Sequence, residues 1–433
     1  MNEIINHYVD QHTAAVANLA GNGIDWLCQQ RQHGIDVFSE TGFPGLREED
    51  WRYTSLKPVT ARLFQVNVDT PKSEIDMDGL LLDGLDSYRL VFIDGSFYPQ
   101  HSVLPEENNA SMVEALSGAI SKHPQNVQQS MSDGVAMEHG FAALNIAFSS
   151  DGYVVQVSDN TRLDKPLEMI FISAGDNIAA QPRNTLKVGM HAQAVVIERY
   201  ITVGEVSTLC NSTSKISLDE GARLDYYLIQ TQKSSGYQVS TVEVEQDKDS
   251  WFGSRTITLG GALVRNNLTV SLNKTGAHCD MIGLYNISGK QHVDNHTNVV
   301  HNAPHCTSRE LYKGVLDQRA RAVFHGRIKV AQGAQKTDAT QANNNLLLSS
   351  NAEIDTKPQL EIYADDVKCA HGATVGQIDE TALFYLRSRG IDEKNARSLL
   401  TFAFVNDVLD EVQIAPLRAA LEKVLADRLI END

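Results

Sequence analysis

Between about residue 140 and residue 375 the chain is a succession of short strand-like runs, among them YVVQVSD, LEMIFIS, AVVIERYI, ARLDYYLIQ, TITLGGALV, AVFHGRIKV and LEIYADDV, parted by Gly, Asn and Asp. Hardly any of this region carries a helical period, so it is expected to fold as β-structure. A turn phrase recurs in it. Glu220-Gly221-Ala222, Thr275-Gly276-Ala277 and Gln332-Gly333-Ala334 each open a strand-like run, with Asp225, Asp280 and Asp338 shortly after. The interval of about 55 residues would span three solenoid coils of about 18 residues each, and a further turn at Asn351-Ala352 follows one such coil later. An antiparallel sandwich could show a similar density of strands. The uninterrupted length of the region and the run Asn343-Asn344-Asn345, of the kind that stacks in ladders between coils, favour a β-helix. A solenoid exposes its ends, so the flanking segments read as caps or as docking surfaces.

Those flanks are helical. Residues 1 to about 60 offer short helix patterns at Ala14 to Ala20 and Ile24 to Arg31, broken by Gly21 and Gly23. The following FPGLREEDWRYTSLKPV, with Trp51 and Tyr53, reads as an aromatic anchor for a helical arm rather than a ligand-binding aromatic box. YRLVFIDGSFYP, residues 88–99, reads as a hairpin turning at Asp94-Gly95, and about 105–135 as a partly helical connector. At the other end Asp379 caps a first helix through Arg389, stopped by Gly390. Asp392 caps a second, with Ala396, Leu399, Leu400, Ala403, Val408 and Leu409 at helical spacing. Pro416 opens a third, striped by Leu417, Leu421, Val424, Leu425 and Leu429. The expected divisions are therefore a helical region (1–85), a hairpin and connector (86–140), a β-helix core (141–376) and a C-terminal helical domain (377–433).

A formal charge of -18 without basic clusters argues against duplex nucleic acid as a partner. The N-terminus has no basic segment followed by an apolar core, and no run approaches a membrane span, so a cytoplasmic protein is expected. The five cysteines, Cys28, Cys210, Cys279, Cys306 and Cys369, include no Cys-x-x-Cys pair and read as free thiols. There is no G-x-x-x-x-G-K-[ST], no G-x-G-x-x-G opening a helix, no H-E-x-x-H and no G-x-S-x-G. Any ATP-driven work would need an ATPase from another subunit.

His301, His305 and Cys306, with His292 and His296 close by in sequence, are a conceivable metal cluster. Residues at these offsets can fall on different faces of a β-helix, and a core or solvated role is favoured for them, as it is for His278-Cys279. Cys369-x-His371 is sharper. Side chains two apart in a strand share a face, so Asp365, Val367, Cys369 and His371 would line one side, with Lys368 and Ala370 on the other. A thiol and an imidazole so placed supply half of a four-ligand iron, zinc or iron–sulfur site. No second matched pair is evident, so the remaining ligands would come from a partner. On fold analogy alone a β-helix could instead act on polysaccharide, with Asp338, Lys329 and Arg327 on one face.

The phrases PQLEIYADDVKCAHGATVG and LFYLRSRGI, preceded by AVFHGRIKV and QANNNLLL, and PGLREEDWRYTSL and RLVFIDGSFYP nearer the N-terminus, resemble the SufB/SufD family of SUF iron–sulfur cluster assembly subunits, the SufD branch more than the longer SufB. The resemblance implies a mainly β protein, a right-handed parallel β-helix core flanked by N-terminal and C-terminal helical domains. It also implies a non-catalytic scaffold that pairs with SufB through the β-helix ends and binds the SufC ATPase through the C-terminal helices, in a complex with two SufC copies. Cys369 and His371 would then lie at the SufB junction as candidate iron ligands, holding a nascent cluster or its iron transiently rather than a resident cofactor. A homodimer carrying iron or a cluster by itself is the alternative.

Overall fold

The computed structural model describes residues 2–66, 75–105, 111–132 and 140–431. Within them the strands form two mainly parallel sheets of 11 and 10 strands that face each other along a β-solenoid, with helices at both flanks. Odd and even coil halves alternate between the sheets, so each coil contributes one strand of about ten residues to each sheet. In the first sheet the register runs through Tyr237, Leu263, His292, Arg321 and Glu353, partners 26 to 32 residues apart. Coils are thus longer than the expected 18 residues, and the recurring turn phrase marks every second coil. The skipped turns are filled by other residues at the same left-handed position. His191, Gly221, Asp249, Gly276 and His305 occupy it in successive coils, all with φ between 54° and 76°. Glycine adopts that conformation freely, and Asp and His tolerate it better than most side chains, so the true period is hidden in the sequence.

Inside the coils, Val, Leu, Ala, Met and aromatic side chains of both sheets form one continuous core. Several of the polar side chains that reach it are paired across coils. Asn266 donates to Asn295 on the next coil at 3.0 Å, which is the expected asparagine ladder at a different place. The Asn343-Asn344-Asn345 run does not stack on other asparagines. Its coil neighbours are Tyr312, Lys313 and Gly314, and Asn343 and Asn345 turn inward to a network with the Tyr285 hydroxyl, 3.0 and 2.5 Å away.

The two ends of the solenoid differ. At the N-terminal end the chain direction reverses: Ser96–Phe97 pairs antiparallel with Tyr88–Ile93 around the Asp94-Gly95 turn, and Ser111–Ala115 pairs antiparallel with Tyr153–Val157. Leu116, Ala119, Ile120, Val127 and Met131 of two short helices then cover Leu27 and Val154 there. The strand-rich region also contains a helix that periodicity did not reveal, Gly140–Phe148, every residue of which is buried. It lies against the helix Asp25–Thr41 so closely that a Cβ on Gly34 would sit 2.8 Å from the Ala143 carbonyl oxygen. Uniform burial removes the polar stripe that reveals a surface helix.

The expected aromatic anchor is in place. Trp51 is 2% exposed, stacked on Phe141 with ring centroids 5.5 Å apart, and covered by the Arg265 guanidinium 3.8 Å from its ring. Arg265 in turn binds Asp294 at 2.6 Å and the Asp50 carbonyl at 2.7 Å. Trp51→Ala is expected to cost about 3–5 kcal/mol and to free the 43–60 segment to protease before the solenoid unfolds, which limited proteolysis followed by mass spectrometry reads.

The C-terminal helices are Glu380–Ser388, Glu393–Asp410 and Ala415–Glu431. Asp379 and Asp392 accept from the backbone N–H of Thr381 and Asn395 at 2.8 and 3.0 Å, as N-caps do. These helices do not cap the solenoid end. They lie along the outer face of the second sheet, with Val405, Leu409, Leu417 and Leu421 against Ile229, Ile257, Ile282 and Leu284. Lys313 to Asp407 at 2.6 Å and Arg309 to Glu411 at 2.6 Å fix the docking. Leu399, placed in the apolar stripe by spacing, is 52% exposed. The Leu429 side chain is outside the described residues.

Candidate functional site

Because helices cover the flank and not the C-terminal end, the last coil is open. Its two strands, Glu353–Ile362 and Lys368–Gly376, are the edges of the two sheets. Cys369 stands opposite Ala339 and His371 opposite Gln341. Ala339, Gln341, Asn343 and Asn345 all point into the buried interior, so Cys369, His371, Ala373 and Val375 form the next layer of that interior, with no coil above them. Cys369 is half-buried against the core, and His371 is exposed. The two share a face as period-2 alternation requires, and that face is the unfinished end of the core. Asp365 and Val367 precede the strand; Val367 still packs against the same core as Cys369, whereas Asp365 is exposed.

The thiol is not activated by its own surroundings. Burial, and then the nearby Asp338 carboxylate, raise the Cys369 pKa above the ordinary thiol value, so a cation must arrive before it becomes a thiolate ligand. Among the described residues no third His, Cys, Asp or Glu gathers with Cys369 and His371 into a three-donor group.

Beneath this layer runs a buried polar file that sequence reading missed. Gln341, directly under His371, donates to Glu310 at 2.6 Å, and Ser308, under Ala339, meets a nitrogen of the buried His301 at 2.9 Å. Burial pushes Glu310 up to about 7 against the hydrogen bonds of Thr297 and Gln341, and pushes His301 down to about 4. Glu310 keeps its proton in the folded state up to about pH 7, whereas the unfolded chain releases it near 4.5. Its contribution to stability is therefore present at low pH and is lost as pH rises through that window. Relative to wild type, Glu310→Gln should gain up to about 3 kcal/mol between pH 4 and pH 8, measured by urea unfolding at both. A difference independent of pH would show that Glu310 titrates alike in the folded and unfolded chain.

The other flagged residues separate. His301 is interior, His305 is exposed on its turn, and Cys306 is in the core with its thiol 3.2 Å from the Lys274 carbonyl oxygen. His278 stacks on Trp251 and Cys279 is buried. All five cysteines are free. Arg327 and Lys329 lie on the first sheet and Asp338 on the second, which dissolves the set imagined for sugar chemistry. His292 meets the Thr54 hydroxyl at 2.9 Å. His296 faces outward on the first sheet, directly opposite His325 of the next coil, a partner that only a known coil length of 29 residues would have predicted.

Comparison with known proteins supplies the context. Residues 171–404 match the SufBD core domain of the SUF system for FeS cluster assembly, and residues 2–169 match the SufBD protein N-terminal region. An iron–sulfur cluster assembly SufBD family protein of Synechocystis sp. is 32% identical, covering 96% of this chain and 94% of its own. Iron–sulfur cluster assembly protein SufD of Escherichia coli is 32% identical with 92% of each chain covered. Its Bacillus subtilis namesake is 26% identical over 92% of this chain and 93% of its own. Among the described residues no helix is long and apolar enough to cross a membrane.

Proposed function

The chain belongs to the SufBD family of iron–sulfur cluster assembly proteins, and from that premise we propose that it is a cytoplasmic, non-catalytic scaffold subunit whose open solenoid end completes a cluster-building site with a partner. The observation that carries this reading is the unfinished core layer with Cys369 and His371 on it. Two edge strands leave unpaired backbone donors and acceptors, which a second β-solenoid can satisfy. Ile362, Tyr363 and Val375, between 40% and 61% exposed, add apolar surface at the same end.

The partner on this reading is SufB, a longer relative of the same fold, supplying the ligands that Cys369 and His371 lack. Iron and sulfide are cargo combined at that junction, with Cys369 as thiolate and His371 as neutral imidazole binding iron. The chain has no phosphate-binding loop, so ATP is hydrolysed by SufC, docked on the C-terminal helices. Phe384 at 73%, Tyr385 at 57% and Leu399 at 52% exposure are apolar groups available there. Closure of a SufC pair would shift the two solenoids as packed bodies and open or close the junction.

A second reading has a specific support. An open edge can pair with its own copy across a two-fold axis, giving a homodimer that holds iron or a cluster by itself. Mixing the chain with SufB under anaerobic conditions and measuring mass by light scattering separates the two: one heterodimer is expected, and a persistent homodimer would favour the alternative.

A further inference from the structure

The first sheet carries a second donor set on its outer face, on the two strands next to the edge strand Glu353–Ile362. His296 and His325 are register partners on adjacent strands, their rings edge-to-face at 73° with centroids 4.8 Å apart. The arm segment holding Trp51 crosses over them and brings the Asp50 carboxylate to 3.9 Å from His325 Nδ1. One ligating atom from each of the three lies within 4.8 Å of the others.

We propose that Asp50, His296 and His325 form a binding site for a borderline divalent transition-metal ion of the Zn²⁺ or Fe²⁺ class, tying the N-terminal arm to the solenoid. Two imidazoles and a carboxylate select such ions over Ca²⁺ and Mg²⁺, which take oxygen ligands. The surroundings are those of a ligand set. One nitrogen of each ring is already engaged: His296 Nε2 lies 3.0 Å from Asp294 Oδ1, and His325 Nε2 is 2.8 Å from Gln359 Oε1. Metal-bound histidines are oriented by such contacts, which leave the other nitrogen for the ion. Asp294 is itself fixed, 1% exposed and bound by Arg265 and by the Thr54 hydroxyl. The arm is equally fixed through Trp51 and the Asp50 carbonyl.

Metal–ligand bonds of about 2.1 Å put tetrahedral donors roughly 3.4 Å apart, so closure needs a movement of about 1.5 Å at most, shared between the exposed Asp50 side chain and the two rings. Three protein donors leave a coordination position open. It faces a cavity of about 630 Å³ whose wall includes Arg47, Arg52 and Lys357, so a water or a small anion would complete the ion. Lys357 opposes a cation, but it is paired with Glu49 at 2.9 Å.

The test uses the full chain with Cys369→Ser and His371→Ala, so that the open end does not report, stripped with chelator and titrated with Co²⁺ anaerobically. One Co²⁺ per chain is expected, with visible d–d absorption, no thiolate charge-transfer band, and a raised unfolding temperature. Adding His325→Ala or His296→Ala should weaken binding by about 100-fold and abolish the thermal shift, and Asp50→Asn should weaken it by about 10-fold. His325→Gln, which keeps a polar side chain, controls for folding and should also lose the ion. Absent d–d absorption, or binding unchanged by the histidine variants, would overturn the site. Either result leaves the cluster-scaffold reading standing, because that reading rests on the residues already removed.

Discussion

Replacing His371 by alanine in the assembled, anaerobic complex is expected to slow cluster formation by about 100-fold or more, the scale of losing a ligand rather than its support. His371 is exposed, so the variant should keep its unfolding temperature. Cys369→Ser should be slowed as well, since serine keeps the size of the half-buried thiol but not its affinity for iron. His305→Ala, on a turn well outside the junction, should be indistinguishable from wild type. The readout is the growth of iron–sulfur absorption with time after iron and a sulfide source are added. A complex bearing His371→Ala that assembles clusters at the normal rate would remove the ligand role.

Placing a charge in the unfinished core layer should prevent pairing altogether. Val375 is 50% exposed in the free chain and lies in the same inward row as Cys369 and His371. Val375→Lys leaves the isolated protein folded, because the side chain still reaches water. Once a second solenoid is seated, the ammonium would be buried without a counter-charge, which costs several kcal/mol. The affinity for SufB should fall by about 100-fold or more, measured by surface plasmon resonance, while SufC binding to the C-terminal helices is unchanged. Loss of SufC binding together with SufB binding would show that the two surfaces are not separate.

Much of this was legible in the sequence because it depends on neighbours along the chain. Alternation alone places Cys369 and His371 on one face, and the N-caps Asp379 and Asp392 are local signals that the structure repeats. What needs a third dimension was hidden. The coil length was misjudged because the left-handed turn is filled by Gly221 and Gly276 in some coils and by Asp249 and His305 in others. The helix Gly140–Phe148 has no polar side to betray it. An amphipathic stripe says that the C-terminal helices bury a face, but not that the face meets the flank of a sheet instead of its end. That distinction is what leaves Cys369 and His371 uncovered. His296 and His325 become neighbours only through the register of two coils, and Asp50 joins them only through the packing of Trp51.

The account turns on whether the open end is completed by a different chain. The most direct test is to purify the tagged, full-length protein anaerobically from its own cells and identify by mass spectrometry what accompanies it. A P-loop ATPase together with a longer β-solenoid relative is expected for wild type, and with Val375→Lys the ATPase should remain stably bound while the stoichiometric relative is lost. Recovery of the wild-type chain alone, or only with further copies of itself, would contradict the scaffold reading.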